Sequence, residues 1–252
     1  MRDFENSKQK IDGINKTVDL ELNLGVHMFK AAYERTDTNT KAHIPKDLEV
    51  EKVFARYGYR FDQQWKVYGG YIAIDDNLVS TDGGKIYSLG MQYVPTKRLT
   101  FDLTGYYGDY DIMKTCQVDA RMVYRHAFGR IKSRSAIIAK QININECEPG
   151  AICSNAKNSY FTPGLMQSLS YEGYYAQVGA FFGKRVFAVM HDGFRVQHHA
   201  MEFNKTMMAA VGKKFGPFDL MFRYVYLEAE ELPIKNSGVE VRNSVVSLGY
   251  RF

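Results

Sequence analysis

Apolar and polar residues alternate with a period of two along most of the chain. Between Val18 and Met28 every second residue is apolar, whereas the apolar residues of a helix would recur at intervals of three and four. Gly, Pro and Asp separate the alternating segments where hairpins would reverse. The pattern predicts about twelve β-strands. These segments are 18–28, 48–61, 65–74, 85–94, 99–107, 115–128, 130–142, 160–171, 174–184, 200–215, 218–227 and 239–252.

The connections between these strands alternate in length. Tight turns are predicted near residues 62–64, 95–97, 129, 172–173 and 216–217. The connections between those turns are mostly longer and polar, near residues 35–47, 75–84, 108–114, 143–159, 185–199 and 228–238. Outer-membrane barrels show this asymmetry, with short periplasmic turns and longer extracellular loops. An even strand number then places both termini on the periplasmic side. The alternative is a large soluble barrel or sandwich.

The last predicted strand ends on an aromatic residue. One face carries Val246, Leu248, Tyr250 and Phe252, and the other carries Val245, Ser247, Gly249 and Arg251. This pattern resembles the last strand of bacterial outer-membrane β-barrels, in which the terminal aromatic is part of the signal read by the barrel assembly machinery. The resemblance implies an all-β fold, namely a closed antiparallel transmembrane β-barrel in the bacterial outer membrane. It also implies contact with outer-membrane lipid and lipopolysaccharide.

The composition is compatible with such a barrel. No run of eighteen apolar residues is present, which excludes a transmembrane helix. A barrel strand exposes only every second residue to lipid, so the mean hydropathy of -0.34 is no objection. No signal peptide opens the chain, and we expect the mature form of an exported protein. We divide the chain into a polar N-terminal segment, 1–16, and a transmembrane barrel, 17–252.

Tyr and Phe are abundant, with 18 and 16 residues against one Trp. Membrane barrels place such residues in girdles where the apolar surface meets water. The aromatics beside the tight turns should therefore mark the periplasmic membrane interface. These residues are Tyr59, Phe61, Trp65, Phe101, Phe218, Tyr250 and Phe252.

Basic residues outnumber acidic ones on the strand faces that should line the lumen. The predicted pore-lining bases are Arg56, Arg60, Lys66, Arg121, Arg125, Arg130, Lys132, Arg134, Lys140 and Arg223. Lumen width grows with strand number, and twelve strands leave room for a narrow water-filled path. An excess of bases there favours anions. The alternative is a structural ladder, in which bases pair with acids such as Asp119 and Asp219 and close the lumen.

The size, strand count and basic lumen are similar to those of the small monomeric porins that pass acidic oligosaccharides. The resemblance is architectural and carries no individual binding residue across. It implies passive diffusion of a small anionic solute through the lumen. The sequence leaves open whether the protein is a monomer or a homo-oligomer.

Two of the three cysteines lie close together in the chain. Cys147 and Cys153 flank Glu-Pro-Gly-Ala-Ile, a turn-rich stretch that could close a small disulfide loop in an oxidising compartment. Two unrelated thiols are the alternative. Cys116 would remain a free thiol near a strand end.

Other functional classes have less support. The net charge of +5 is spread without a dense basic run, so we expect no nucleic-acid partner. An outer-membrane lipid hydrolase would need His beside Ser or acids. His198 and His199 would point to opposite faces of a strand and could not easily share a metal. His191 is close to them in sequence. We find no nucleophile elbow or phosphate cradle and expect no enzyme, metal or cofactor.

A scaffold or a secretion component remains the main alternative to a channel. A secretion barrel of twelve strands would thread an N-terminal helix through its lumen. Residues 1–16 could form only one or two helical turns, which at about 1.5 Å per residue is too short to span a membrane.

Overall fold

The computed structural model describes residues 1–77, 81–190, 193, 195–197 and 201–251. These residues form fourteen β-strands in one closed antiparallel barrel. The strands are β1 Arg2–Glu5, β2 Lys10–Leu24, β3 His27–Thr40, β4 Leu48–Arg60, β5 Trp65–Asp76, β6 Lys85–Thr96, β7 Leu99–Tyr110, β8 Met113–Phe128, β9 Ile131–Asn145, β10 Ser159–Tyr171, β11 Tyr174–Arg185, β12 Met201–Phe215, β13 Phe218–Glu231 and β14 Asn236–Tyr250. A short 3-10 helix, Leu232–Ile234, precedes β14. No helix in the described ranges is long and apolar enough to cross a membrane.

The barrel is closed and antiparallel as predicted, but the strand count of about twelve was wrong. The segment from Val18 to Met28 is two strands, because the chain reverses at Gly25 and Val26 and pairs Leu24 with His27. Gly25 has a φ of 62°, which glycine adopts without strain. The apolar alternation continues through this two-residue turn and conceals it. β3 then extends into residues 35–40, which we expected to be loop.

The fourteenth strand lies in the segment 1–16 that the sequence analysis separated from the barrel. β1 pairs with β14 through Arg2 and Asn243, and with β2 through Arg2 and Gly13. The expected boundary between residues 16 and 17 falls inside β2. The polar N-terminal segment is therefore part of the wall and completes the ring of strands. β1 covers only residues 2–5. Before Arg2, towards the tight turns, the described residues include no strand between β2 and β14.

The register of the strands sorts their side chains into an outer and an inner face. In β4, Val53 and Tyr57 are exposed, whereas Phe54 is buried and lies opposite Ile72 of β5. Leu103 of β7 and Leu220 of β13 are 48% and 45% exposed on the outside. A contiguous apolar outer surface on every long strand is the mark of a wall that contacts lipid.

Aromatic side chains gather on the outer face beside the tight turns. The ring centroids of Tyr59 and Phe61 are 5.0 Å apart, and Trp65 stacks on Tyr93 at 4.4 Å. Phe218 packs against Tyr250 at 5.2 Å. Phe101 is exposed on the same side of β7. The six predicted aromatics that the structure describes thus point away from the lumen, and their place at the membrane interface remains a prediction. Phe252 lies outside the described residues.

The apolar outer face leads to a prediction about the free energy of unfolding of the barrel. Leu103→Arg should lower the free energy of unfolding in lipid vesicles by about 2–4 kcal/mol, the cost of a base at the middle of the lipid face. Leu99→Arg, on the same face beside the turn, should cost only about 0–1 kcal/mol. Urea unfolding followed by the fluorescence of Trp65 measures both. Equal costs at the two positions would contradict this orientation of the wall.

Candidate functional site in the barrel lumen

Part of the connection between β11 and β12 lies inside the barrel. We call residues 186–197, as far as they are described, the inner loop. Val186, Phe187 and Ala188 are at most 2% exposed, and Val189 bridges to Val196 in antiparallel fashion. We expected the connection 185–199 to be a polar loop outside the barrel, whereas its described residues 186–189 are apolar and buried inside it. The run Val-Phe-Ala-Val is apolar and finds apolar partners within the lumen.

The wall holds one side of the inner loop with polar side chains. Gln117 Nε2 donates to the carbonyl oxygen of Val189 at 2.9 Å, and the Val189 N–H donates to Gln117 Oε1 at 2.8 Å. Lys140 Nζ also donates to the Val189 carbonyl, at 3.1 Å, and forms an ion pair with Asp119. Gln117 therefore bonds the loop backbone as a neighbouring strand would. The sequence does not single out Gln117, because a lone Gln on a strand gives no signal.

The opposite wall holds the other side of the loop. Lys52 Nζ donates to the carbonyl oxygen of Val196 at 3.1 Å and to Glu34 Oε1 at 2.8 Å. Arg56 Nη2 donates to the carbonyl oxygen of Gly193 at 3.2 Å. Gly193 has a φ of 72°, a backbone conformation that favours glycine. The inner loop is thus fixed between β4 on one side and β8 and β9 on the other.

An apolar cluster fills the lumen around the inner loop, towards the end with the longer loops. Phe187, Val189 and Val196 belong to it. The wall contributes Val50, Phe54, Ile72, Ile74, Ile86, Tyr106, Tyr110, Met113, Ile142, Ile144 and Tyr160. This half of the barrel is therefore packed like a protein core.

A disulfide joins Cys147 to Cys153 in the connection between β9 and β10. Cys153 is 2% exposed and packs on the apolar cluster. The Glu148 N–H donates to the carbonyl oxygen of Ile112 at 3.0 Å, in the short turn between β7 and β8. The disulfide loop therefore packs against the apolar cluster and the β7–β8 turn at this end of the barrel. Cys116 is a free cysteine.

Several bases of β5, β8 and β9 lie on the inner face of the wall, in the half of the barrel beside the tight turns. We call Lys66, Arg121, Arg125 and Arg134 the basic cluster. Arg125 lies directly opposite Arg134 in the β8–β9 pairing. Within the described parts of the chain, no member of the cluster has a carboxylate oxygen within 4.0 Å. The two lysines that bind the inner loop do have acidic partners. Lys52 forms an ion pair with Glu34, and Lys140 forms one with Asp119.

Polar contacts within the cluster are few. Arg125 Nη1 donates to Thr100 Oγ1 at 2.6 Å, and Lys66 lies over the ring of Tyr68 at 5.4 Å. Asp102 is opposite Arg121 and accepts a hydrogen bond from Gln92 Nε2 at 2.7 Å. The cluster therefore keeps most of its donors directed at the lumen.

The remaining predicted pore-lining bases lie in different parts of the structure. Arg130 was wrongly placed in the lumen. It lies in the turn between β8 and β9, its side chain is 81% exposed, and it pairs with Glu172 of the next turn at 2.9 Å. Arg60 and Lys132 are exposed beside the tight turns, at the end of β4 and near the start of β9. Arg223 is on the lumen face of β13, opposite Ala210. Arg56 and Lys140, by contrast, are bound to the inner loop.

No described group of three or more His, Cys, Asp or Glu residues could hold a metal. His191, His198 and His199 lie outside the described residues.

The described residues form a closed antiparallel barrel with an apolar outer face and with aromatics beside its turns, an architecture typical of outer-membrane β-barrels. Among solved structures, the NanC porin is similar, with a TM-score of 0.52 and 11% identity over 100% of this chain and 97% of that chain. OccK8 (OprE) of Pseudomonas aeruginosa has a TM-score of 0.46 and 12% identity over 98% of this chain and 96% of that chain. No family model and no curated protein matches the sequence. The likeness to the NanC porin shows a shared fold.

Proposed function

We propose that this protein is an outer-membrane channel through which small anionic solutes diffuse passively. The basic cluster is the observation that carries the proposal. Its four cations face the lumen, and none has a carboxylate within salt-bridge distance among the described residues. A pore with an excess of positive charge raises the local concentration of anions and repels cations.

The two halves of the lumen would perform different tasks. The inner loop narrows the path in the half towards the longer loops, which limits the size of the solute. The arginines of the basic cluster stay charged at any physiological pH and can hold a carboxylate or phosphate with two parallel hydrogen bonds. Several such sites in succession allow a solute to enter and still leave, as conduction requires.

The surroundings of the barrel follow from its outer face. The apolar belt would contact outer-membrane lipid, and lipopolysaccharide would surround its outer leaflet side. β14, which ends at Tyr250, would be recognised by the barrel assembly machinery during insertion. We place the protein in the bacterial outer membrane on these grounds.

The experiment is single-channel recording in planar bilayers under a KCl gradient. The reversal potential should have the sign of chloride preference. A reversal potential with the sign of potassium preference would contradict the anion selectivity but would still support a channel. An absence of conductance steps would reject the channel itself.

A second function is favoured by one observation. The apolar cluster around Phe187 and Val189 packs one half of the lumen, which suits a closed barrel that acts as a scaffold or binds a partner through its outer loops. Such a barrel would insert into vesicles and resist unfolding but would carry no current. Conductance in the same bilayers therefore separates the two functions.

A further inference from the structure

A groove of about 400 Å³ lies on the outer face of the barrel, between β5 and β9. The short side chains of Ala120 and Ala139 line it and are directly opposite each other in the β8–β9 pairing. Longer apolar side chains that are exposed on the outer face surround this pair, namely Met91, Leu103, Met122 and Ile137. Asp102 and Arg121 also line the groove, but they alternate with these residues along β7 and β8, so their side chains belong to the inner face.

Aromatic residues border the groove on the side of the tight turns. Trp65, Tyr93 and Phe101 line it there, and Trp65 stacks on Tyr93 with 4.4 Å between the ring centroids. Within the described ranges, neither the indole N–H of Trp65 nor the hydroxyl of Tyr93 forms a hydrogen bond with the protein. Both groups can therefore donate to the ester carbonyl oxygens of a lipid, as Trp and Tyr do at membrane interfaces.

Two bases lie beyond this aromatic border, in the turn between β6 and β7. Lys97 and Arg98 are exposed, and among the residues that the structure describes neither forms an ion pair. Arg98 is separated from Phe101 by about 10 Å along the strand. Bases at this position can attract the phosphate of a lipid whose acyl chain enters the groove.

The order of these groups matches the order of the parts of a phospholipid. From the turn towards the middle of the wall, the outer face presents two cations, then two hydrogen-bond donors, then an apolar groove. A phospholipid presents its phosphate, its esters and its acyl chains in the same order. The neighbouring lipid is as apolar as the groove, so the acyl chain alone gives little selection. Selection would come from the phosphate and ester contacts.

We propose that this groove binds one anionic phospholipid of the periplasmic leaflet, with phosphatidylglycerol as the simplest example. One acyl chain would lie over Ala120 and Ala139, and the phosphate would accept hydrogen bonds from Lys97 and Arg98. The inference goes beyond the proposed function. It rests on the placement of the apolar belt in a membrane and does not require the barrel to conduct.

The fluorescence of Trp65, the single tryptophan of the chain, reports which lipid occupies the groove. The protein is reconstituted into vesicles of phosphatidylglycerol and phosphatidylcholine in which only one of the two lipids carries bromine in its acyl chains. A lipid that merely surrounds the barrel quenches in proportion to its mole fraction. We expect brominated phosphatidylglycerol to match the quenching by brominated phosphatidylcholine at a mole fraction roughly threefold to tenfold lower.

Replacing Lys97 and Arg98 together with Ser should remove this preference, because the phosphate loses both cations. Lys213→Ser with Lys214→Ser is the matched control, since it removes the same charge near the tight turn that follows β12. The control should keep the preference for phosphatidylglycerol.

Replacing Ala120 and Ala139 together with Leu fills the groove and should also remove the preference, although both bases remain. Ala31→Leu with Ala55→Leu is the matched control, because these alanines are directly opposite each other on the outer face of β3 and β4. All four variants should keep the heat-modifiable mobility of a folded barrel on gels.

Four outcomes would overturn the inference. Both brominated lipids quench in proportion to their mole fraction; the lysine control loses the preference as fully as the variant of the β6–β7 turn; the variant with the filled groove keeps the preference; or neither lipid quenches appreciably. The last result would mean that a second copy of the chain covers Trp65. Failure of the proposed function would show instead as a missing or cation-selective current, which the fluorescence does not measure.

Discussion

Replacing Arg121 and Arg134 together with Ser should shift the ion selectivity of the channel towards cations. The two side chains belong to the basic cluster and have no carboxylate within salt-bridge distance among the described residues. A unit charge about 6 Å from a passing ion in water is worth about 0.7 kcal/mol, and salt screening reduces that value. We therefore expect the ratio of chloride to potassium permeability to fall roughly threefold to tenfold.

The reversal potential in a KCl gradient measures this change. Arg130→Ser removes the same type of charge from the turn between β8 and β9 and should leave the ratio unaltered. Both variants should retain the heat-modifiable mobility of a folded barrel on gels, because neither charge takes part in a buried ion pair. If the double variant and the Arg130 control shifted selectivity equally, the basic cluster would not be the selectivity element.

Replacing Gln117 with Leu should loosen the inner loop and raise the conductance of the channel. The substitution leaves the Val189 N–H without its 2.8 Å acceptor, while the Val189 carbonyl keeps the hydrogen bond from Lys140. An unsatisfied buried backbone group costs about 1–3 kcal/mol. That cost corresponds to a change of roughly 5-fold to 150-fold in the population with the loop displaced. Single-channel traces should show larger or more frequent high-conductance states.

Gln141→Leu is the matched control for this experiment. Gln141 is on β9, but its amide bonds Ser159 at 2.6 Å and Asn143 at 3.2 Å on the outer face. Its removal should not change the conductance. Unaltered traces for Gln117→Leu, with wild-type stability, would mean that the inner loop does not restrict the path.

Much of the barrel could be predicted from its sequence. The side chains of a wall strand alternate between the outer and the inner face, so its apolar residues recur with a period of two. The faces of β4 and β7, for example, follow directly from the alternation of apolar and polar residues. The number of strands in the N-terminal part of the chain could not be predicted from this alternation. The turn at Gly25 and Val26 preserves the alternation across a reversal, and β1 has only four residues, too few to show a period.

The lumen was only partly predictable. Arg121, Arg125 and Arg134 were placed on the inner face by the same alternation. Arg56 and Lys140 were also placed there, but their binding to the inner loop depends on contacts between distant parts of the chain, which periodicity does not report. Arg130 was misplaced because the chain reverses one residue later than the pattern suggested.

The sequence of the inner loop does contain a feature that indicates its buried position. Val186, Phe187, Ala188 and Val189 make an apolar run in a connection expected to be polar, and such a run needs a place away from water. The fold supplies that place inside the barrel.

The most direct test of the central claim is a liposome-swelling assay with glucuronate and glucosamine, two sugars of similar size and opposite charge. Proteoliposomes containing the wild-type protein should swell several-fold faster in glucuronate than in glucosamine, because the basic cluster attracts the first and repels the second. Faster swelling in glucosamine, or swelling no faster than that of protein-free liposomes in either solute, would contradict an anion-preferring channel.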